Sequence, residues 1–146
     1  MLLVVLVLLV GAGSFFLIRL NRDARVVDSG VVEFKKGNYE EAVRILGPYA
    51  DRGNDAAELN MGMAYAFGLG VPKDSQRARK LLKAAEPGMA AAMYLWVAQS
   101  FETGDEVKKD PDEALIWYRI AAEEGSAEAK GWLAKSQAAD VSTRKE

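Results

Sequence analysis

The apolar and polar positions of this chain follow two regimes. Residues 2 to 18 carry only apolar or small uncharged side chains, and the first charge is Arg19. Beyond it, short apolar stripes alternate with charged ones at the spacing of helices. Over 55–67, Ala56, Leu59, Met63 and Phe67 recur at that spacing, and so do Met61 and Tyr65. Over 75–86, Ala78, Leu81, Leu82 and Ala85 share one side. The pattern predicts helices over 24–36, 39–53, 55–67, 75–86, 89–103, 112–124 and 126–138. Breakers stand between them. Gly37-Asn38 is a tight turn, and Gly68 and Gly70 open a loop that ends at a capping Asp74 or Ser75. Pro87-Gly88 stops the fourth helix, and Pro111, after a loop over 104–111, suits a first helical turn. Pro48 falls inside the second helix, where a missing backbone bond predicts a bend near Arg44. The tail, 139–146, is polar and predicted to fray.

The helices repeat in pairs. "AAEPG" ends at Gly88 and "AAEEG" at Gly125, while "GVPKD" at 70–74 recurs as "EVKKD" at 106–110. Gly53, Gly88 and Gly125 are 35 and 37 residues apart, a period of about 36 that fits stacked helical hairpins. Gly62, Ala57, Ala78 and Ala85 supply the small surfaces such hairpins need for close approach.

These residues resemble the Sel-one-like repeat family, a relative of the tetratricopeptide repeat. Ala57, Met61, Gly62, Tyr65, Gly68, Gly70, Val71, Asp74, Ala78, Ala84, Ala85 and Gly88 occupy the positions of that family's pattern. The later half of the pattern returns as Ala114, Trp117, Tyr118, Ala121, Ala122 and Gly125. The middle unit departs from it: Val97 stands for the glycine, Ser100 for the tyrosine, and the loop at 104 reads as one residue longer. The first unit, "GNYEEAVRIL", looks more like an ordinary tetratricopeptide repeat. The resemblance covers roughly residues 24–138. It implies an all-α, right-handed α-solenoid of about three and a half helix-turn-helix units.

The apolar N-terminus changes the picture of location. At 1.5 Å per residue, residues 2–18 reach about 26 Å as a helix, against a bilayer core of roughly 30 Å. Residues 1–20 therefore read as a single-pass transmembrane anchor, with Arg19 and Arg22 at the interface. A cleaved signal peptide is the competing reading, because Gly11, Ala12 and Gly13 follow a long apolar run. Arg19, Arg22 and Arg25 place the following domain, 21–138, in the cytoplasm by the positive-inside rule. A periplasmic domain follows instead if the segment is a signal peptide or the true start lies upstream.

Composition narrows the chemistry. The chain has no cysteine and no histidine, which removes disulfides, thiolate metal sites, cysteine nucleophiles and the commonest general base. The formal net charge of −2 offers nothing to nucleic acid. The glycines of 61–74 follow a helix and lack the GxxxxGK[ST] spacing, so they read as turns and not as a phosphate cradle. Asp112 with Glu113, and Glu123 with Glu124, are adjacent on helices and read as solvated faces. Asp105, Glu106 and Asp110 lack the ligand order of a calcium loop. "STRK" at 142–145 has the SxxK spacing without companion motifs. Trp96, Trp117 and Trp132 read as packing between hairpins.

The resulting expectation is a scaffold and not an enzyme, with no cofactor and no metal. It binds a protein or peptide on its concave face and the membrane through residues 1–20. By tetratricopeptide-like geometry that face would carry Val27, Val31 and Phe34, then Leu59, Met63 and Phe67, then Tyr94 and Phe101. A cell-wall ligand binder or an envelope-assembly factor is the alternative.

Overall fold

Why do these residues stop and start where they do? The computed structural model describes residues 22–143, and every regular element there is helical. Helix α1 runs over 22–35. It is followed by α2 (Tyr39–Ala50), α3 (Asp55–Phe67), α4 (Ser75–Ala85), α5 (Ala90–Thr103), α6 (Pro111–Glu123) and α7 (Ala127–Thr143). A single 3₁₀ turn, Pro87–Met89, links α4 to α5. Caps set most of the boundaries. Asn54, Asp74, Asp110 and Ser126 each accept a hydrogen bond from the backbone N–H three residues on, at 3.0, 2.9, 3.2 and 3.2 Å. Gly68 and Gly104 end α3 and α5 in the left-handed region, at φ +74° and +83°.

The loops after α3 and α5 are copies. The N–H of Asp74 donates to the carbonyl of Tyr65, and that of Asp110 to Phe101, both at 2.9 Å. Both loops hold the same number of residues, 68–74 and 104–110, so the extra residue expected in the second is not there. It lies instead in α5, which has 14 residues against the 13 of α3. From the loops onward, equivalent residues are therefore 36 apart. Ala98, not Val97, stands in the place of Gly62, and Phe101, not Ser100, in that of Tyr65.

Two other boundaries differ from expectation by three residues or more. α2 ends at Ala50 and not at Gly53, because Gly53 turns left-handed (φ +76°) and frees Asn54 to cap α3. Pro48 lies inside α2 without ending it. α7 runs on to Thr143, past the expected fraying point at 139, since no glycine or proline follows Gly131 to stop it.

Packing within a hairpin depends on a leucine seated on a glycine. Leu46 and Leu82 are fully buried. A Cβ placed on Gly30 would lie 2.7 Å from Leu46, and one on Gly62 would lie 2.7 Å from Leu82. Burying each leucine is worth about 1.5–3 kcal/mol, so the seat is among the larger single contributions to its hairpin. One core cluster holds Val27, Ala42, Leu46, Ala50, Ala57 and Met61. The larger one joins α3 to α7 around Leu82, Tyr94, Phe101, Trp117 and Tyr118. Tyr65 packs against both and makes the core continuous. Ala57, Ala78 and Ala85 are buried as the small-residue argument expects. Gly70 has a different duty. At φ +70° its absent Cβ would sit 2.6 Å from the backbone carbonyl carbon of Tyr39, so it presses the α3–α4 loop against the start of α2.

Gly62→Val should overpack this seat and cost about 1–3 kcal/mol, read as a lowered melting midpoint. Gly53→Ala meets open space and carries only the left-handed strain, so it should lower the midpoint less. An unchanged midpoint in Gly62→Val would mean that α3 and α4 do not touch there.

Candidate functional site

The eight residues expected on one concave wall do not form one surface. Val27, Tyr94 and Phe101 are core residues, 4%, 0% and 3% exposed. They cannot meet a partner without unfolding. The physical reason lies in α3 and α5. Each packs on its own partner helix and on the preceding hairpin, and both are apolar almost all round, so helical spacing cannot say which apolar line faces out. Val31 and Phe34 are half-buried against the first cluster, with Phe34 edge-on to Tyr39 at 5.2 Å. Leu59, Met63 and Phe67 are half-buried against the second. Among the described residues, the most exposed large apolar side chains are Val32, Met89, Trp96 and Ile116.

Trp96 is the one that joins the expected wall. It is 40% exposed, and its ring meets Phe67 edge-on at 5.5 Å, bridging α5 to α3. The other side of Phe67 touches Phe101 at 5.5 Å, so the exposed tryptophan stands on an aromatic footing that reaches the core. Trp96 follows the buried Tyr94 by two residues, which is about 200° round a helix. That offset was the signal available in the sequence. Beside it, Gln99 donates to Glu128 of α7 at 3.0 Å. A cleft of about 390 Å³ opens between Trp96, Gln99, Glu102 and Thr103 of α5 and the following Asp105 and Glu106.

Glu102 fastens the end of this face. Its carboxylate accepts the hydroxyl of Tyr118 from α6 and the indole N–H of Trp132 from α7, the latter at 2.8 Å. The two rings stack on each other at 4.0 Å and 11°. Burial first, then the hydrogen bond and charge of Glu102, push the Tyr118 phenol far above its usual range. Trp132 therefore packs between hairpins as expected, and so does the fully buried Trp117. Trp96 does not.

Of the acidic pairs expected on solvated faces, Asp112 and Glu123 are exposed as expected, while Glu113, Glu123 and Glu124 also reach bases of the neighbouring hairpin. Lys83 of α4 meets Glu124 at 2.5 Å, and Arg79 reaches Glu123 at 3.0 Å and Glu124 at 3.7 Å. Lys73 meets Glu113 at 2.9 Å and Asp110 at 3.5 Å. Lys83 first, then its charge and that of Arg79, hold the Glu124 carboxyl below its usual range. Sequence spacing could not show this, because the partners lie about one repeat apart. Each pair is exposed and individually weak. Together they fix the register of α4 on α6. Among the described residues no group of His, Cys, Asp or Glu is arranged to hold a metal ion. No helix there is long and apolar enough to cross a membrane, and the expected anchor lies outside the described residues.

Glu102→Ala should release α7, speeding amide exchange over 127–137 and costing about 1–3 kcal/mol. Alkaline stability carries a second signature. Tyr118 and Tyr94 both have raised phenols, the latter chiefly through burial. Their contribution is full below the ordinary tyrosine value of about 10 and is lost as pH rises through their raised folded values. Tyr118→Phe should flatten the fall of the melting midpoint above that pH. An unaltered slope would place the Tyr118 hydroxyl in water.

The Sel1 repeat family model matches residues 55–86 and 90–126. Among solved structures, a Sel1 repeat protein from Oxalobacter formigenes aligns at 27% identity and a TM-score of 0.44, covering 80% of this chain and 49% of that one. A protective antigen of uropathogenic Escherichia coli strains, described as displaying an SLR fold, aligns at 21% identity and a TM-score of 0.44. That alignment covers 75% of this chain and 27% of the antigen. The chain thus spans about half the length of the first and about a quarter of the second. Among curated proteins none matches. The two matched stretches are the hairpins α3–α4 and α5–α6, and the stacked helical hairpins form an α-solenoid similar to that of Sel1 repeat proteins.

Proposed function

We propose that this protein is a membrane-anchored repeat scaffold that docks a protein partner on the face shared by α3 and α5. Sel1 repeat proteins generally mediate protein–protein interaction. The observation that carries the choice of face is Trp96, solvent-exposed on a footing of Phe67 and Phe101. A tryptophan held rigidly at a surface binds at little entropic cost, which is why such residues anchor interfaces. Met63 and Leu59 extend the apolar ground on α3, each half-buried. The uncharged run over 2–18 supports the anchor, which would hold the scaffold at a membrane.

A photo-crosslinking residue in place of Trp96 tests the face. In intact membranes it should give one discrete adduct, while the same residue in place of Ile116 on α6 should not. Trp96→Ala should cut partner capture at least tenfold with the melting midpoint nearly kept. Equal adducts from both positions would remove the assignment. The anchor has its own measurement. Mass spectrometry should find peptides containing Phe15 and Phe16 in a carbonate-resistant membrane fraction. A mature N-terminus at Ser14 would instead favour the released, periplasmic form.

A further inference from the structure

The junction between the first two hairpins is built differently from the one after it. Glu58, in the first turns of α3, is only 9% exposed. Its carboxylate makes no hydrogen bond or ion pair among the described residues, and burial together with the charge of Asp55 raises its titration above the usual range. The residue is mostly covered, yet its carboxylate oxygens still open to the cleft and no base sits on them, so the acceptor is available to a ligand. Glu58 lines a cleft of about 780 Å³ between the end of α2 and the face of α4, with Asp51, Asp74, Arg77, Lys80 and Leu81.

The equivalent place one repeat later is filled. Thirty-six residues beyond Glu58 and Leu81 stand Tyr94 and Trp117. Both are fully buried, their rings lie 5.9 Å apart, and the Tyr94 hydroxyl donates to the Arg79 carbonyl at 2.7 Å. Two large rings thus plug the α4–α6 junction, while a carboxylate and a leucine leave the α2–α4 junction open. The polar latch differs in the same direction. α4 and α6 share Arg79 and Lys83 with Glu123 and Glu124. α2 and α4 have only Arg77 facing Asp51 of the following turn at 4.0 Å.

We propose that this cleft receives a lysine or arginine side chain of a protein partner, its charged head on the Glu58 carboxylate and its stem along Leu81. The proposal rests on the reading of the chain as a protein-binding scaffold. Charge complementarity selects the occupant. Asp51 and Asp74 join Glu58 in the lining, and Asp55 adds to the local negative charge. Of the two lining bases, Arg77 is held over the Tyr65 ring at 4.5 Å and toward Asp51. Lys80 is exposed and pairs with no carboxylate among the described residues. The free donor capacity of a Lys or Arg head matches an unshared carboxylate, and its methylene stem matches a leucine wall. A carboxylate ligand would meet Glu58 as a like charge, and an apolar one would leave it unpaired.

The test uses the full chain in detergent and fluorescent decapeptide pools on a Gly/Ser/Ala background. The central residue is lysine, arginine, norleucine or citrulline. Polarisation should show the lysine and arginine pools binding at least tenfold more tightly than their neutral counterparts. Glu58→Gln should remove that preference while keeping or raising the melting midpoint at neutral pH, because it removes a charge that partial burial and Asp55 disfavour. Lys80→Met should keep or strengthen binding. Equal binding of all pools, binding of none, or an undiminished preference in Glu58→Gln overturns the proposal. A lowered midpoint in Lys80→Met also overturns it, since Lys80 would then already occupy the carboxylate. Displacement by spermidine at concentrations below those of the peptides would assign the cleft to a small amine and overturn the protein occupant. Crosslinking through position 96 is read separately. If it persists while the peptides fail, only the cleft falls. If it fails while the peptides bind, only the α3–α5 face falls.

Discussion

A leucine lying on a glycine decides how close two helices of this solenoid can come. Leu46 on Gly30 and Leu82 on Gly62 leave no room for a methyl group. The two helix axes approach until the leucine meets bare backbone, and the other contacts of the hairpin follow from that separation. Ala57, Ala78 and Ala85 can be small because the helices are near, and they are buried because they are small. The third hairpin changes the terms. Tyr118 stands in the place of Leu82 and Ala98 in that of Gly62. The larger side chain carries a hydroxyl that must be satisfied, and Glu102 accepts it. The clamp on Trp132 of α7 grows out of that substitution.

Most of the architecture was legible in the sequence because its punctuation is local. Gly68, Asp74, Gly104 and Pro111 mark helix ends by chemistry that acts within a few residues. α4 was the clearest helix, since one apolar line of Ala78, Leu82 and Ala85 is set against charged neighbours. The binding wall was not legible in the same way. In "AAAMYLWVAQSF" nearly every position is apolar, and tertiary packing alone sorts Tyr94 inward from Trp96 outward. The register of the middle unit misled for a related reason. The extra residue sits at the start of α5, where the helix simply lengthens, and not in the loop, where insertions are usually absorbed.

The polar groups were the least legible, because what they do depends on partners about a repeat away. Glu123 and Glu124 look solvated on their own helix, yet they tie α6 to α4. Glu58 looks like an ordinary first-turn acid, favourable to the helix dipole, yet it faces a cleft. The difference between these carboxylates is whether a base of the neighbouring helix reaches them: Arg79 and Lys83 do, while Arg77 turns to Asp51 and Tyr65. That is a property of stacking and does not appear in any single hairpin.

A stacked array carries load through its nearest-neighbour junctions, one after another. Here the junctions are held by different means. The far end is held by a carboxylate shared between two rings, and the middle by two aromatic plugs and a row of ion pairs. The first hairpin is held mainly by α2 on α3, where Ala42, Leu46 and Ala50 share a buried cluster with Ala57 and Met61. Tension entering at residue 22 is therefore carried by apolar packing, which salt does not screen, before it reaches any row of ion pairs.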